Sequence, residues 1–255
     1  MRFRVTARLL IATAVFHFAG RADMPTIAGA VIVPAATLIQ APAISGHISY
    51  YAMTPGMTPR PVPTATVNLV SSTPQTTSSD VNGQYQFSSA PSGMISLQAN
   101  KQGQFNPPTA VSALDATFVQ QYVAALRSLT SDQRLAADVT GDGTVSALDA
   151  TRILQFVAGI KRCSVTRPMA CTMDADCPPA EVCTLRFAAA QACGSDWLFR
   201  PVPAPAPNQT LVQPQLSSNM CQQGAINYSS APAALSGQDF IAILFGDTTG
   251  NWTPA

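Results

Sequence analysis

The sequence predicts a multidomain protein: a small all-β sandwich, an α-helical module, and a disulfide-containing, β-rich C-terminal segment. Short β-type runs separated by turn residues fill 44–103, and a helical motif occurs twice within 104–162. All six cysteines lie beyond residue 162, and the 21 prolines favour several modules over one large core. The predicted divisions are a signal peptide and linker at 1–43, the sandwich at 44–103, the helical module at 104–162, a cysteine-rich insertion at 163–193, and a β-rich segment at 194–255 that packs back on the others.

The N-terminal segment has the charge order of a secretory signal. Three arginines precede an apolar run from Leu9 to Ala19, which is too short to span a bilayer. Cleavage after Ala19, after Ala22 or as late as Ala43 stays open, and an uncleaved anchor is the alternative. We expect a secreted or cell-surface protein without stable transmembrane insertion. A net charge of +1, with 11% charged residues, gives no electrostatic footprint for nucleic acid.

The cysteines favour disulfides in an oxidising compartment, because their number is even. Zinc is the alternative, but the sequence has no Cys-x-x-Cys pair and no histidine near the cysteines. Connectivity stays open at this stage. The predicted disulfide residues are Cys163, Cys171, Cys177, Cys183, Cys193 and Cys221.

Four runs within 44–103 predict strands: "ISGHISYY", "ATVNLVSS", "GQYQFSS" and "GMISLQAN". Between the second and third of these runs, Asn82 and Gly83 tolerate positive φ, and Tyr85 and Phe87 then alternate onto one face. This order predicts a β-hairpin.

The segment "SSDVNGQYQFSSAPSGMISLQANKQG" resembles the carboxypeptidase regulatory-like domain. It shares a turn followed by Gly-x-Tyr-x-Phe, a Pro-x-Gly turn and a final strand. The resemblance implies a prealbumin- or Ig-like sandwich with a carbohydrate-binding-like topology, used as a spacer or accessory module in exported proteins. A glycan is therefore one candidate partner, although we favour ordinary packing over sugar stacking for Tyr50, Tyr51 and Tyr85.

The helical module is an internal duplication. Val111–Thr117 and Val145–Thr151 are identical at an offset of 34 residues. After each copy, apolar residues recur at helical spacing and predict two packed helices. Between them, "TSDQRLAADV" predicts a short helix capped at Ser131, with Leu135 facing the same core together with Ala136. The apolar stripes are Val119, Tyr122, Val123 and Leu126 in the first copy, and Ile153, Phe156, Val157 and Ile160 in the second.

The stretch "DVTGDGTVSALD" has the spacing of an EF-hand-type calcium loop. Calcium takes about six to eight oxygen ligands, and Gly143 at position 6 allows the sharp turn in the middle of the loop. Asp instead of Glu at position 12 and a neutral Thr140 should lower the affinity somewhat. The alternative is an acidic turn before a helix. The predicted ligands are Asp138, Thr140, Asp142, the carbonyl of Thr144, Ser146 and Asp149.

With its duplicated helix, this loop resembles a dockerin module, over roughly 106–160. The resemblance implies a calcium-dependent module that docks onto a cohesin-like partner, typically in extracellular polysaccharide-degrading assemblies. From the symmetry of the near-identical copies alone, either helix could face the partner. The implied partner-binding residues are Ala113 and Leu114 in the first copy, Ala147 and Leu148 in the second, and the flanking Arg152, Gln155 and Lys161.

The first copy has lost half of its loop. Gln104, Asn106 and Pro108 stand where the second copy has Asp138, Thr140 and Asp142, and only Ser112 and Asp115 survive. Near the C-terminal end, "GDTTGNW" carries the missing 1, 3, 5 spacing. One hypothesis is a second calcium site that combines Ser112 and Asp115 with Asp247, Thr249 and Asn251. The alternative, which we favour on sequence alone, is a turn closing the strand "DFIAILF".

We predict a non-catalytic attachment protein. With only two histidines in the sequence, a histidine-based triad or metal centre has little to build from. The alternatives are a cell-surface adhesion or stalk protein in which calcium is purely structural, and a carbohydrate-binding accessory protein. A different binding experiment therefore tests each role: docking to a cohesin-like partner, a structural stalk, or binding of a glycan.

Overall fold

The computed structural model describes residues 44–52, 59–102, 110–164, 169–218, 220–230 and 234–254. All of them belong to one unit that spans Gln40–Ala255. The predicted signal peptide lies outside these residues, as do Gln104, Asn106 and Pro108. No helix in the described ranges is long and apolar enough to cross a membrane.

The order of elements follows the sequence prediction only in outline. The first five strands are β1 (Ile44–Tyr50), β2 (Thr66–Val70), β3 (Gln75–Ser78), β4 (Gln84–Phe87) and β5 (Ile95–Asn100). Three helices follow: α1 (Ala113–Val123), α2 (Ser131–Ala137) and α3 (Ala147–Val157). The remaining elements are β6 (Arg162–Cys163), β7 (Cys183–Thr184), α4 (Ala188–Cys193), β8 (Trp197–Pro201), β9 (Gln209–Val212), β10 (Gln215–Ser217), β11 (Met220–Gln222), β12 (Ala225–Tyr228) and β13 (Phe240–Leu244).

Early and late strands share the same two main sheets. One sheet has the order β4-β1-β13-β8, and the other has the order β3-β2-β5-β12-β9. Within the first sheet β13 runs parallel to β1, with Ile48 opposite Phe240. The two sheets bury one common core, which includes Ile48, Leu97, Ile226 and Phe240. The sandwich is thus built from chain segments on both sides of the helices.

Strand β13 is apolar on both faces because it serves two cores. Phe240, Ala242 and Leu244 face the sandwich core, whereas Ile243 packs in a second core with the helices. Successive side chains of a strand point to opposite faces, so a strand covered on both sides needs a continuous apolar run. The run "FIAILF" therefore places the helices against the outer face of this sheet.

The turn at Asn82 and Gly83 does not form the predicted hairpin. Strand β3 pairs with β2, whereas β4 pairs with β1 in the other sheet, so the turn carries the chain between sheets. Gly83 does adopt the positive φ predicted for it, at 75°. Its carbonyl accepts the N–H of Ile48 at 2.8 Å, and this contact directs the chain to β1.

The helices differ from the prediction at their ends. Thr130, not Ser131, caps α2, because its hydroxyl accepts the N–H of Gln133 at 3.2 Å. Val119 and Ile153 are buried as predicted, but four stripe residues beyond them are at least 43% exposed. Helices α1 and α3 end at Val123 and Val157, before the stripes finish. The exposed residues are Val123, Leu126, Val157 and Ile160.

All six cysteines form disulfides, as predicted. The pairs are Cys163 with Cys177, Cys171 with Cys183, and Cys193 with Cys221. The first two pairs hold the short hairpin of β6 and β7. The third connects α4 to β11, and α4 lies against the loop that follows α2, since the N–H of Ala189 donates to the Val139 carbonyl at 3.1 Å.

Candidate metal centre

Asp138 organises the loop between α2 and α3. Its carboxylate accepts backbone N–H groups from Gly141 at 2.8 Å, Asp142 at 3.2 Å and Gly143 at 2.8 Å. Gly141 and Gly143 have φ values of 73° and 91°, which side chains with a Cβ rarely adopt. The loop thereby wraps around one carboxylate.

Asp149 closes this loop from the first turn of α3. Its Oδ1 accepts the N–H of Thr140 at 3.0 Å and the Thr140 hydroxyl at 2.9 Å. Its Oδ2 accepts the N–H and the hydroxyl of Ser146, both at 2.9 Å. One carboxylate therefore caps the helix and also meets position 3 of the loop.

The loop concentrates negative charge in a buried place. Asp138 is 4% exposed and Asp149 is fully buried. Burial, followed by the nearby charge of Asp149, raises the pKa of Asp138 to about 6. Within the described residues neither carboxylate belongs to a salt bridge such as Arg186–Asp196 or Arg200–Asp132. Buried charges in proteins are normally paired or bound to metal ions, and an all-oxygen donor set suits calcium.

The segment 246–254 folds back to the start of α1. The N–H of Thr249 donates to Oδ1 of Asp115 at 2.8 Å, although the two residues are 134 positions apart. Asp115 also accepts the N–H of Ser112 at 2.8 Å, as Asp149 does from Ser146. Hydrogen bonds therefore connect all five residues of the hypothesis of a second calcium site split between two chain segments, Asn251 through its backbone N–H. A turn follows β13 at Phe245–Gly246, and whether 247–251 is only part of this turn or also binds calcium stays a prediction.

The hydrogen bonds around Asp247 repeat those around Asp138. Oδ1 of Asp247 accepts the N–H of Gly250 at 2.8 Å and of Asn251 at 3.2 Å. Its Oδ2 accepts the N–H of Trp252 at 2.9 Å, where Gly143 donates at 2.8 Å in the contiguous loop. The hydroxyl of Thr249 lies 3.3 Å from Asp247 Oδ1, which is also the distance from Thr140 to Asp138. Four contacts of the Asp138 carboxylate thus recur in a half-loop that a distant part of the chain supplies.

Residues of the sandwich hold this half-loop in place. Tyr50 donates its hydroxyl hydrogen to Oδ2 of Asp247 at 2.5 Å, and Tyr51 donates to the Asp247 carbonyl at 2.6 Å. Burial raises the pKa of both phenols, so they remain hydrogen-bond donors. The guanidinium of Arg60 donates to the carbonyls of Gly250, at 2.6 Å, and Trp252. Sequence reasoning missed these three roles, because the pairing of β1 with β13 that creates them has no local signal.

Tyr50 and Tyr85 are buried at 0% and 3% exposure, which supports the packing interpretation over sugar stacking. Tyr50 contacts Trp252 and Trp197 in an aromatic cluster with ring centroids 5.2 Å and 6.0 Å away. Their rings therefore belong to the sandwich core and not to an open sugar platform.

The helix surfaces implied by the dockerin resemblance are partly exposed. Leu114 is 54% exposed and Leu148 is 47% exposed, and Ala113 and Ala147 beside them are also exposed. These four residues flank the capped first turns of α1 and α3. They form two similar apolar patches on the helical module.

The flanking residues Arg152 and Gln155 are half-buried beside a cavity of about 290 Å³. Oε1 of Gln155 accepts hydrogen bonds from both Arg152 and Arg162, each at 3.0 Å. Phe156 and Phe187 stack across this region with centroids 4.6 Å apart, so the segment before α4 contacts α3. The surroundings of the two helices are therefore not equivalent.

Residues 105–158 match the family model of the dockerin type I domain. No curated protein and no solved structure matches the chain significantly. The match covers both helices of the duplication, the contiguous loop and Asp115. Dockerin domains are non-catalytic modules that bind calcium and cohesin partners, so the match supports a calcium-binding, protein-attachment module at 105–158.

Proposed function

We propose that this chain is an exported attachment protein whose helical module binds a cohesin-like partner when calcium is present. The single observation that carries the proposal is the loop at 138–149. Its buried, hydrogen-bonded carboxylates start a helix whose first turn exposes an apolar patch. The polysaccharide-degrading setting and secretion to the cell exterior belong to this proposal as its biological context.

The proposed ligands are the side chains of Asp138, Thr140, Asp142 and Asp149, with the carbonyl of Thr144 and a water held by Ser146. Carboxylate and hydroxyl oxygens of positions 1, 3 and 12 already meet within hydrogen-bond distance. Bound calcium would neutralise the charge of two buried carboxylates, whose mutual repulsion otherwise opposes closure of the loop. Loop closure then fixes the start of α3 and the patch beside it.

The proposed docking surface comprises Ala113 and Leu114 on α1, and Ala147 and Leu148 on α3. Arg152 and Gln155 add a polar margin to the second patch. Exposed apolar residues next to polar groups are the usual composition of a protein interface. Because the patches are duplicates, each could contact the same partner surface in one of two orientations.

A binding experiment with a panel of purified cohesin modules tests this function. We expect binding in calcium that is lost in excess chelator. Leu114→Asp and Leu148→Asp should together weaken it by at least about 30-fold, because an interface anchor contributes about 2 kcal/mol. The matched control is Val81→Asp, since Val81 is 79% exposed on a turn of the sandwich.

The stalk alternative predicts a different result from the same samples. Calcium would raise the melting temperature of the chain, but no cohesin module would bind at any calcium concentration. That outcome would reject the docking function and retain calcium as a structural ion. A glycan array that captures the chain independently of calcium would favour the accessory role instead.

A further inference from the structure

We infer that Asp115 and segment 247–251 form a second calcium site, assembled from two distant parts of the chain, that fastens the sandwich to α1. The inference rests on the proposed calcium function of the module, but not on its docking partner. Its donor set is again all oxygen: the side chains of Asp115, Asp247, Thr249 and Asn251, with Ser112 in the position that holds a water. Ala110 occupies the place of Thr144, whose carbonyl completes the contiguous loop.

The burial of two neighbouring carboxylates at this place favours a bound cation. Asp115 and Asp247 are both fully buried, and the charge of Asp115 acts on Asp247. Neither forms a salt bridge within the described ranges. Two buried carboxylates near each other are strongly unfavourable without a counter-ion, and the groups that donate to these two carboxylates are neutral N–H and O–H groups.

Hydrogen bonds that do not involve an ion already hold segment 247–251 in place beside α1. The N–H of Gly246 donates to the Ala136 carbonyl at 2.8 Å, and Nε2 of Gln133 donates to the Thr248 carbonyl at 3.0 Å. Tyr51 fixes the Asp247 carbonyl from the sandwich side. Preorganised ligands lose little conformational entropy when they bind, so a site made from two chain segments can still be tight.

This arrangement gives the ion a role that the contiguous loop does not have. The loop at 138–149 joins two neighbouring helices, whereas the split site joins α1 to a segment that follows β13 and contacts β1. Its ion would therefore restrain the helical module relative to the sandwich. Calcium would control the rigidity of the whole unit in addition to the order of one loop.

Calcium counting by equilibrium dialysis with metal analysis tests the split site. The wild type should bind two ions per chain, Asn251→Ala one and Asp142→Ala one, because each variant removes position 5 of a different site. Both side chains are exposed, so neither change opens the core. Equal melting temperatures in chelator for the wild type and Asn251→Ala serve as the folding control.

Amide hydrogen exchange supplies the second measurement. Calcium should slow exchange at Gly250, Asn251 and Trp252 at least tenfold in the wild type and in Asp142→Ala, but not in Asn251→Ala. One ion in the wild type, retained by Asn251→Ala and lost by Asp142→Ala, would overturn the split site and leave the proposed function standing. No bound calcium in any sample would overturn both.

Discussion

At the scale of single residues, the half-loop at 246–254 depends on close backbone approach. Gly250 has φ of 74°, and a Cβ placed there would lie 2.2 Å from the Cβ of Ala52. Gly93 has a comparable φ of 93°, but a Cβ there would meet nothing within 4 Å. The two glycines therefore separate backbone strain from steric contact with the sandwich.

We expect Gly250→Ala to lower the free energy of unfolding by about 1–3 kcal/mol more than Gly93→Ala does. Alanine at positive φ destabilises the backbone in both variants, but only Gly250→Ala also displaces Ala52 or the half-loop. Urea unfolding in chelator measures the difference without a contribution from bound ions. Equal losses for the two variants would show that segment 246–254 does not lie against Ala52 in solution.

At the scale of secondary structure, the repeated helices begin in the same way. Ser112 and Ser146 each accept the N–H of the second following residue, at 3.3 Å and 3.2 Å. The duplicated phrase "SALD" is thus a capping box whose acidic residue also serves a loop. The helix starts could be predicted from this pattern, whereas the exposed helix ends could not, because apolar periodicity alone does not show where packing partners stop.

Removing either cap should cost a similar amount of stability. We expect Ser112→Ala and Ser146→Ala each to lower the free energy of unfolding by about 1 kcal/mol in chelator. Thr117→Ala, at an exposed position of α1, is the control and should change it by less than about 0.5 kcal/mol. If Ser112→Ala proved as mild as the control, the first helix would not start in the way that the second does.

At the scale of the whole molecule, the modules are continuous with each other. Strands from 44–100 and from 197–244 form the same sheets, and β13 contributes side chains to both cores. A bidentate ion pair between Asp132 of α2 and Arg200 of β8, with both contacts at 2.8 Å, adds a further connection. Separate folding units are therefore not expected from these contacts.

We predict one cooperative unfolding transition for the chain. Tryptophan fluorescence reports on the sandwich, because Trp197 and Trp252 are buried there, while circular dichroism at 222 nm, the usual helix wavelength, reports mainly on the helices. The two signals should change together with and without calcium. Two transitions with different midpoints would show that the sandwich and the helical module unfold independently.

Much of this organisation could be predicted from local sequence, and the rest depended on long-range pairing. The loop at 138–149 and the helix start that follows it can be predicted from residue spacing, and the early strands follow from β-type runs between turns. The pairing of β1 with β13 could not be foreseen, because parallel neighbours far apart in sequence leave no local pattern. For the same reason the sequence leaves the contact between Thr249 and Asp115 as one of two alternatives. It also predicts a hairpin at Gly83, where the chain instead passes from one sheet to the other.

The most direct test of the central claim is the location of calcium in crystals grown with it, by anomalous diffraction. We expect two peaks: one between Asp138 and Asp149, and one between Asp115 and Asp247. A peak in the contiguous loop alone would contradict the split site. No peak at either place, in a chain folded as described, would contradict the calcium-dependent function itself.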